Sequence, residues 1–507
     1  MGIPSYYKRL IDTVKGLLTR KHPGSTGTAS HLWMDFNCLI YHCLRRPDMM
    51  PYTSAGKEAW EAAFLDEIIK YTNKVIAEVK PTEGVYIAVD GVVPMAKMRQ
   101  QRMRRFKSAA FAEEGSWDTN AITPGTDFMK KLRYKLEALC AKHSTWKVSS
   151  SDEPGEGEHK IMTAWKGKKG IQVVYGLDAD LIVLSLLNAP DSVYLFREVV
   201  EAGEIKRDDM GEEEFSWFSI DELRNYLTDS STDKNAFLQD YCFAMSFLGN
   251  DFLPSSLAFK MREDGHDALL SLLKSPEHKR LVDIDGKINI SGLTAFLGKL
   301  AASEDTRILA FIKKKSRQAS MIGTETGFGE NNWPLAELAE SRLVSGFGAS
   351  CRLKPNWQKL YIDLYFGKGT QIEDLTSKYL YGVNWVWDYY RGNPVCYNWH
   401  YPWHLPPLWK WLASGKMPEY PGRLEMTPDR IRPEEQLALV LPLRSWHLVK
   451  MPECQMPELA PWLYPKKFGY SSVGKRFFWE CEAEIPVPSI VEVKNILAST
   501  CTATKSK

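Results

Sequence analysis

Short apolar runs that end on or just before an acid recur along the first half of the chain. His31-Leu-Trp-Met-Asp35, Val85-Tyr-Ile-Ala-Val89 followed by Asp90, and Ile171-Gln-Val-Val-Tyr175 followed by Gly176 are short and largely apolar. Buried strands of a parallel sheet read this way. Leu195–Glu198 predicts a further short strand. Between the strands, apolar residues fall at helical spacing: Ala59, Trp60, Ala63, Phe64, Ile68, Tyr71 and Val75 predict a helix over 57–80 that Pro81 ends. An N-terminal turn leads into an amphipathic helix over Gly2–Ile11, with a Gly/Ser/Thr loop over 24–30. Further helices are predicted from Thr126 to His143 and from Phe237 to Leu248. This alternation implies an α/β fold with a mostly parallel central sheet flanked by helices.

The acids give the pattern its chemistry. Glu156 and Glu158, and Asp178 and Asp180, form two tight pairs around the strand at 171–175. Either pair alone reads as a solvated turn or a helix cap. Two pairs at the carboxyl end of one buried strand fall where open α/β sheets bind ligands. Converging carboxylates repel, and hard divalent cations, Mg²⁺ or Mn²⁺, relieve that repulsion. Asp35 and Asp90 end strands in the same way, and Asp251 lies between a helix and the turn at Pro254. Directly after Asp90 come Lys97, Arg99, Arg102, Arg104, Arg105 and Lys107. On a helix, Lys97, Gln101, Arg104 and Arg105 share one face. An isolated basic run reads as a solvated helix; beside a cation site it reads as the grip for a polyanion with phosphates in both places.

The remaining chain carries less. Residues 199–235 are acidic and polar and read as surface elaboration; 263–350 reads as a linking region with helices, including the basic run Lys313–Arg317 and the Gly-rich Gly323–Asn332. From Asn356 to Trp409 the composition turns aromatic, mostly as core, with one or two rings as base-stacking platforms. His400 and His404 are not a helical metal pair, because Pro402 stands between them. A helix over Glu435–Pro442 and a strand within Trp479–Pro486 follow. The division expected is an N-terminal α/β region with the metal site at 1–262, a linking region at 263–350, a second region at 351–498 that packs on the first, and a tail at 499–507.

A net charge of +2 over 507 residues means that nucleic-acid affinity must come from local patches. No apolar run reaches the ~18 residues of a membrane span, and the N-terminus lacks a signal-peptide pattern. Met1-Gly2 does not make a myristoylation motif, since Tyr6 stands where Ser or Thr is needed. The expectation is an intracellular protein, cytoplasmic rather than nuclear. Nine cysteines without a C-x-x-C pair argue against a zinc site and against a disulfide framework.

Taken together, WMDFNCLIYHC (33–43), AVDGVVPMAKMRQQRMRRFKSA (88–109), ITPGTDFM (122–129), EPGEGEHKIM (153–162), YGLDADLIVLSL (175–186) and FLGNDFLP (247–254) resemble the XRN family of 5′→3′ exoribonucleases. YYRG (389–392), WHYPWHLPP (399–407) and WECEAEIP (479–486) extend the resemblance over nearly the whole chain, to about Leu497. It implies a PIN/flap-nuclease-like α/β core elaborated by a mainly helical C-terminal region. It places metal-binding acids at Asp35, Asp90, Glu156, Glu158, Asp178, Asp180 and Asp251, and a 5′-phosphate pocket at Lys97, Gln101, Arg104 and Arg105. The chemistry implied is hydrolysis with two Mg²⁺ ions, Mn²⁺ being the alternative, and processive release of mononucleotides from 5′-monophosphorylated single-stranded RNA. Family members grip the terminal bases between a histidine and a tryptophan; here Tyr41 stands at the histidine position with His42 adjacent, Cys38 replaces a glycine, and Trp399 takes the tryptophan position. The chain ends where the family's catalytic core ends, so a compact member without the extra C-terminal domains of the large members is expected; a monomer is expected separately. A flap-type DNA nuclease shares the MGI start and the carboxylates, but a Gly-rich helix-hairpin-helix should then follow Asp251, where Phe-Leu-Pro-Ser-Ser stands. An inactive RNA-binding scaffold would be expected to lose acids, and all seven are present.

Overall fold

The computed structural model describes residues 2–3, 5–20, 28–47, 49–176, 178–189, 192–201, 204–322, 335, 338–418, 427–450 and 455–503. Most of the loop predicted over 24–30, the Gly-rich 323–332 and the last four residues lie outside them. A seven-stranded sheet organises the first half. Its strands are β1 (Leu18–Thr19), β2 (Ala29–Asp35), β3 (Gly84–Ala88), β4 (Trp146–Ser149), β5 (Ile171–Tyr175), β6 (Val193–Glu198) and β7 (Phe215–Ser219). In space they run β1, β7, β6, β5, β2, β3, β4. The five from β6 to β4 are parallel, whereas β7 runs antiparallel to both β6 and β1.

Every residue of β2 is buried, as a strand covered on both faces requires. Trp33 pairs with Tyr86 on one side and Val174 on the other. Alternation divides its side chains: Leu32 and Met34 enter the core beneath helices Lys57–Val79 and Asp127–Cys140, and Trp33 enters the larger core shared with the second region. From β2 the chain lays β3 and β4 to one side, then crosses back to lay β5 and β6 on the other. The crevice at that reversal is the ligand-binding position of an open α/β sheet.

The mostly parallel sheet flanked by helices is the fold class that the alternation predicts, and the predicted helices at 57–80 and 126–143 are present at Lys57–Val79 and Asp127–Cys140. Two stretches differ. Residues 199–235 are not all surface elaboration: Phe215–Ser219 is a strand of the central sheet, and the helix Ile220–Thr228 buries Ile220, Leu223 and Leu227. Its apolar signal is hidden because acids flank a strand of only five residues. Strand β4 escapes the pattern because, on the sheet edge, three of its four residues retain solvent contact. In the linking region, the basic run Lys313–Arg317 lies on the helix Glu304–Ile322, where buried Lys315 pairs with Glu340 at 2.9 Å. Among the described residues no helix is long and apolar enough to cross a membrane.

The basic helix, Met95–Ala110, joins the two halves. Arg102 is 1% exposed and donates to the carbonyls of Leu439 (2.6 Å), Pro486 (2.8 Å) and Leu463. Lys107 donates to the carbonyls of Phe478 and Cys481, both at 2.9 Å. Two of the six cations are therefore structural, closing carbonyls of a region more than 330 residues away in sequence. Removing Arg102 leaves buried carbonyls unpaired, so Arg102→Met should destabilise the protein by on the order of 3 kcal/mol. Denaturant unfolding followed by tryptophan fluorescence measures this, and an unchanged midpoint would show that the anchor carries no weight.

Candidate active site

Local geometry brings the acids to the reversal point. Asp35 is the last residue of β2, and Asp90 follows β3. Glu156 is the N-cap of the helix Gly157–Ala164, with Glu158 in its first turn; Asp180 opens the helix Asp180–Asn188. Carboxylates at helix N-termini are favoured by the unpaired N–H groups there. Gly157 donates its N–H to Asp90 Oδ1 at 2.7 Å, and a Cβ at this position would stand 2.7 Å from Asp35 Oδ1. Asn37 clamps Asp90 reciprocally, donating from Nδ2 to Oδ2 (2.9 Å) and accepting from the Asp90 N–H (3.2 Å). Gly2, at φ +59°, packs so closely on Asp180 that a Cβ there would fall 2.5 Å from Oδ1.

The seven acids lie within electrostatic reach of one another, and most are deeply buried. Burial, and then the neighbouring Asp90, Asp178 and Asp180, raise Asp35 well above the usual carboxylate range. Burial with Asp180 and Glu156 does the same to Glu158. Burial and Glu156 raise Asp90, while burial and Asp178 push Asp180 up to about 7. Burial alone would raise Asp178 too, but the surrounding positive charge, Lys97 and Arg104 included, outweighs it and holds this group low. Lys97 reaches into the cluster, 2.6 Å from Glu156 Oε2 and 2.8 Å from Asp251 Oδ2. Burial opposes its charge, yet Asp251 and Glu156 prevail and hold its pKa well above that of a free lysine. Glu158 Oε1 and Asp180 Oδ1 remain buried without a hydrogen-bond partner. A crowded, oxygen-rich set with orphaned carboxylate oxygens fits hard divalent cations.

The second region closes the cluster from one side. Tyr389, on the helix Ile372–Tyr390, donates its hydroxyl to Glu156 Oε1 at 2.6 Å. Its carbonyl accepts from His159 Nε2 at 2.9 Å, and its ring stacks on the imidazole at 3.8 Å. Asn37, His159 and Tyr389 are absent from the predicted site, although His159 stands inside EPGEGEHKIM and Tyr389 opens YYRG. Their signal is a polar side chain inside a motif that carries the clustered acids or follows them in the family resemblance.

The predicted substrate residues divide. Arg105 is buried and donates to Thr123 Oγ1 and to Asn120 Oδ1 (3.4 Å). Gln101 is buried with Oε1 unpaired, and Arg104 is half-buried on the same helix. Tyr41 is half-buried near Arg105. His42 points away: its ring lies 4.4 Å from Tyr71, and Nε2 is 3.3 Å from the buried Glu213. Trp399 is half-buried against Trp385 at 4.9 Å and Tyr381 at 5.8 Å; among the described residues no ring contact joins it to Tyr41. His404 pairs with Glu482 at 2.6 Å, which gives it a role other than metal binding with His400. A cavity of about 300 Å³ bounded by Trp117, Asn120, Arg444 and Ser445 opens at the far end of the basic helix, away from the carboxylates.

Residues 1–199 match the family model described as the XRN 5'-3' exonuclease N-terminus, and residues 357–504 match the Xrn1 helical domain. Among similar curated proteins is a 5'-3' exoribonuclease 2 of Eremothecium gossypii, 31% identical over 63% of this chain and 42% of the relative. Proteins of the same name from Candida albicans and Arabidopsis thaliana are each 24% identical, over 94% and 100% of this chain and 68% of their own lengths. The chain thus spans between about a third and two thirds of the length of curated relatives it matches.

The raised carboxyls predict how metal-free protein responds to pH. Asp35, Asp90, Glu158 and Asp180 bind protons more tightly folded than unfolded, so their contribution is full below the unfolded value of 3.8–4.5. It is lost as pH rises through the folded values, about 7 for Asp180. Without metal, melting temperature should fall across that window. Added Mg²⁺ or Mn²⁺, which needs the deprotonated acids, should raise it more at pH 8 than at pH 6. Gly2→Ala, by displacing Asp180, should shrink the metal-induced rise; the same rise in both proteins would remove Gly2 from the site.

Proposed function

The chain belongs to the XRN family of 5'-3' exonucleases, and from that premise we propose that it hydrolyses 5′-monophosphorylated single-stranded RNA from the 5′ end, processively, to mononucleotides. The observation that carries this reading is the convergence of seven acids at the sheet reversal, with buried oxygens of Glu158 and Asp180 left unpaired, beside a helix that presents Gln101, Arg104 and Arg105. Asp35, Asp90, Glu156, Glu158, Asp178, Asp180 and Asp251 would hold two Mg²⁺ or Mn²⁺ ions. Such a pair supplies positive charge to the reacting phosphodiester and activates water at neutral pH.

The chain's own residues set the geometry and the choice of end. Asn37 and the Gly157 N–H fix Asp90, and the Tyr389 hydroxyl fixes Glu156. Lys97, held between Glu156 and Asp251, carries positive charge at the junction of the acids and the phosphate-binding face. Its ammonium is the group that would turn toward a terminal phosphate if bound ions took over the charge of Glu156 and Asp251. Arg104 and Gln101 lie along the same face, and Arg105, braced by Thr123 and Asn120, is preorganised for a fixed anion. A pocket of this kind takes one phosphate and excludes a triphosphate or a cap by size, so polarity of degradation follows from the pocket. Tyr41, near Arg105, would offer a π-face to the terminal base, and Trp399 would be the second platform of the grip.

The test is a comparison of one RNA sequence with different 5′ ends at fixed salt. Monophosphate RNA should decay fastest, hydroxyl RNA slowly, and triphosphate RNA hardly at all; matched 5′-monophosphate DNA should be the poorer polymer. Arg104→Ala should erode the monophosphate preference by on the order of 1.5–3 kcal/mol. Equal rates for monophosphate and hydroxyl ends would remove the pocket from the mechanism, and faster decay of DNA would favour a DNA nuclease.

A further inference from the structure

His159 is surrounded as a metal-binding imidazole is surrounded. Its Nε2 lies 2.9 Å from the Tyr389 carbonyl, which can only accept, so Nε2 carries the hydrogen and Nδ1 a bare lone pair. Nδ1 is buried with no hydrogen-bond partner and faces Glu158 Oε1 at 3.9 Å. That oxygen is itself buried and unpartnered, in a residue only 4% exposed. Two acceptors facing each other in a buried space repel unless something positive stands between them. Glu156 completes the group: one ligand atom from each of Glu156, Glu158 and His159 lies within 4.8 Å of the others. Atoms each about 2.1 Å from one cation can stand at most about 4.2 Å apart. The His159–Glu158 pair already meets that limit, and the three atoms reach one cation together once each moves inward by up to about 0.7 Å.

The surroundings of these atoms point the same way. An imidazole that binds metal through one nitrogen characteristically donates its other N–H to a carbonyl or carboxylate, which fixes tautomer and ring orientation. Tyr389 performs that task here, and the same residue holds Glu156 through its hydroxyl at 2.6 Å and braces the imidazole by stacking at 3.8 Å. One residue of the second region therefore braces two of the three ligand side chains, through its carbonyl and ring on His159 and its hydroxyl on Glu156. Resting on the metal-ion reading given above, we infer that His159 Nδ1 is a nitrogen ligand, together with Glu156 and Glu158, of one divalent cation, and that this position takes Mn²⁺ in preference to Mg²⁺. Mg²⁺ is served best by oxygen alone, whereas affinity for an imidazole grows from Mn²⁺ onward along the first transition row.

Pulsed electron paramagnetic resonance on RNA-free protein loaded with Mn²⁺ alone reads the ligand atoms directly. The expected spectrum carries the ¹⁴N coupling of a coordinated imidazole, and His159→Gln abolishes it. In calorimetric titrations the same substitution should weaken Mn²⁺ binding about tenfold or more while altering Mg²⁺ binding much less. Tyr389→Phe, which keeps the carbonyl, should retain the ¹⁴N signal and lose affinity for both ions. Bound Mn²⁺ with an oxygen-only spectrum in the unmodified protein overturns the assignment of His159 and leaves the metal-ion reading standing. Absence of any Mn²⁺ binding overturns both. The spectrum of the unmodified protein decides the question even if His159→Gln fails to fold.

Discussion

Mutual repulsion among buried carboxylates at one end of the sheet is the constraint on which the rest of this structure depends. Four of them, Asp35, Glu156, Glu158 and Asp180, belong to residues no more than 8% exposed, so water cannot screen them. Each would lose its charge, or push its neighbour away, without opposing charge and fixed donors. The fold supplies those donors from separate places: the Gly157 N–H, the Asn37 amide, the Tyr389 hydroxyl and the Lys97 ammonium. What remains unsatisfied among these carboxylates is one buried oxygen on each of Glu158 and Asp180.

The basic helix meets this constraint at one end and holds the chain together along its length. Its six cations look alike in sequence but serve different purposes. Lys97 neutralises acids, Arg105 is braced by Thr123 and Asn120, and Arg102 and Lys107 bind carbonyls of the second region. A guanidinium buried against carbonyls and an aromatic ring, as Arg102 is with Phe106 at 4.5 Å, resists replacement as strongly as a core leucine does. Charge on this helix is therefore poorly described as one patch, since the cations of the same few turns pair with different partners.

Legibility in the sequence follows from how local each signal is. The strands β2, β3 and β5 are legible because they are buried on both faces, and the acids that end them because an acid beside such a run is conspicuous. Strand β7 is not, because its partner β6 lies across an acidic excursion and a five-residue run alone is ambiguous. The positions of Lys97 and Arg105 on one helical face follow from spacing, but the pairing of Lys97 with Asp251, 154 residues away, does not. The choice between Tyr41 and His42 likewise turns on tertiary context. The buried Glu213, from a stretch that reads as surface, and the ring of Tyr71 show that His42 faces the interior.

Tyr389 shows why the aromatic second region cannot be treated as packing alone. Its ring lies between His159 at 3.8 Å and Trp385 at 4.9 Å, with Phe252 edge-on at 5.2 Å, so its position is fixed by elements from both halves of the chain. Phe252 directly follows Asp251, and Trp385 also contacts Trp399 at 4.9 Å. A displacement of the Ile372–Tyr390 helix would therefore move a hydrogen bond to Glu156, a brace on His159 and a ring beside Asp251 together. Rigid packing transmits such shifts instead of absorbing them. The geometry of the carboxylates is thus a property of the closed assembly of both regions, and the acids of the first half are held in register by aromatic residues more than 200 positions away.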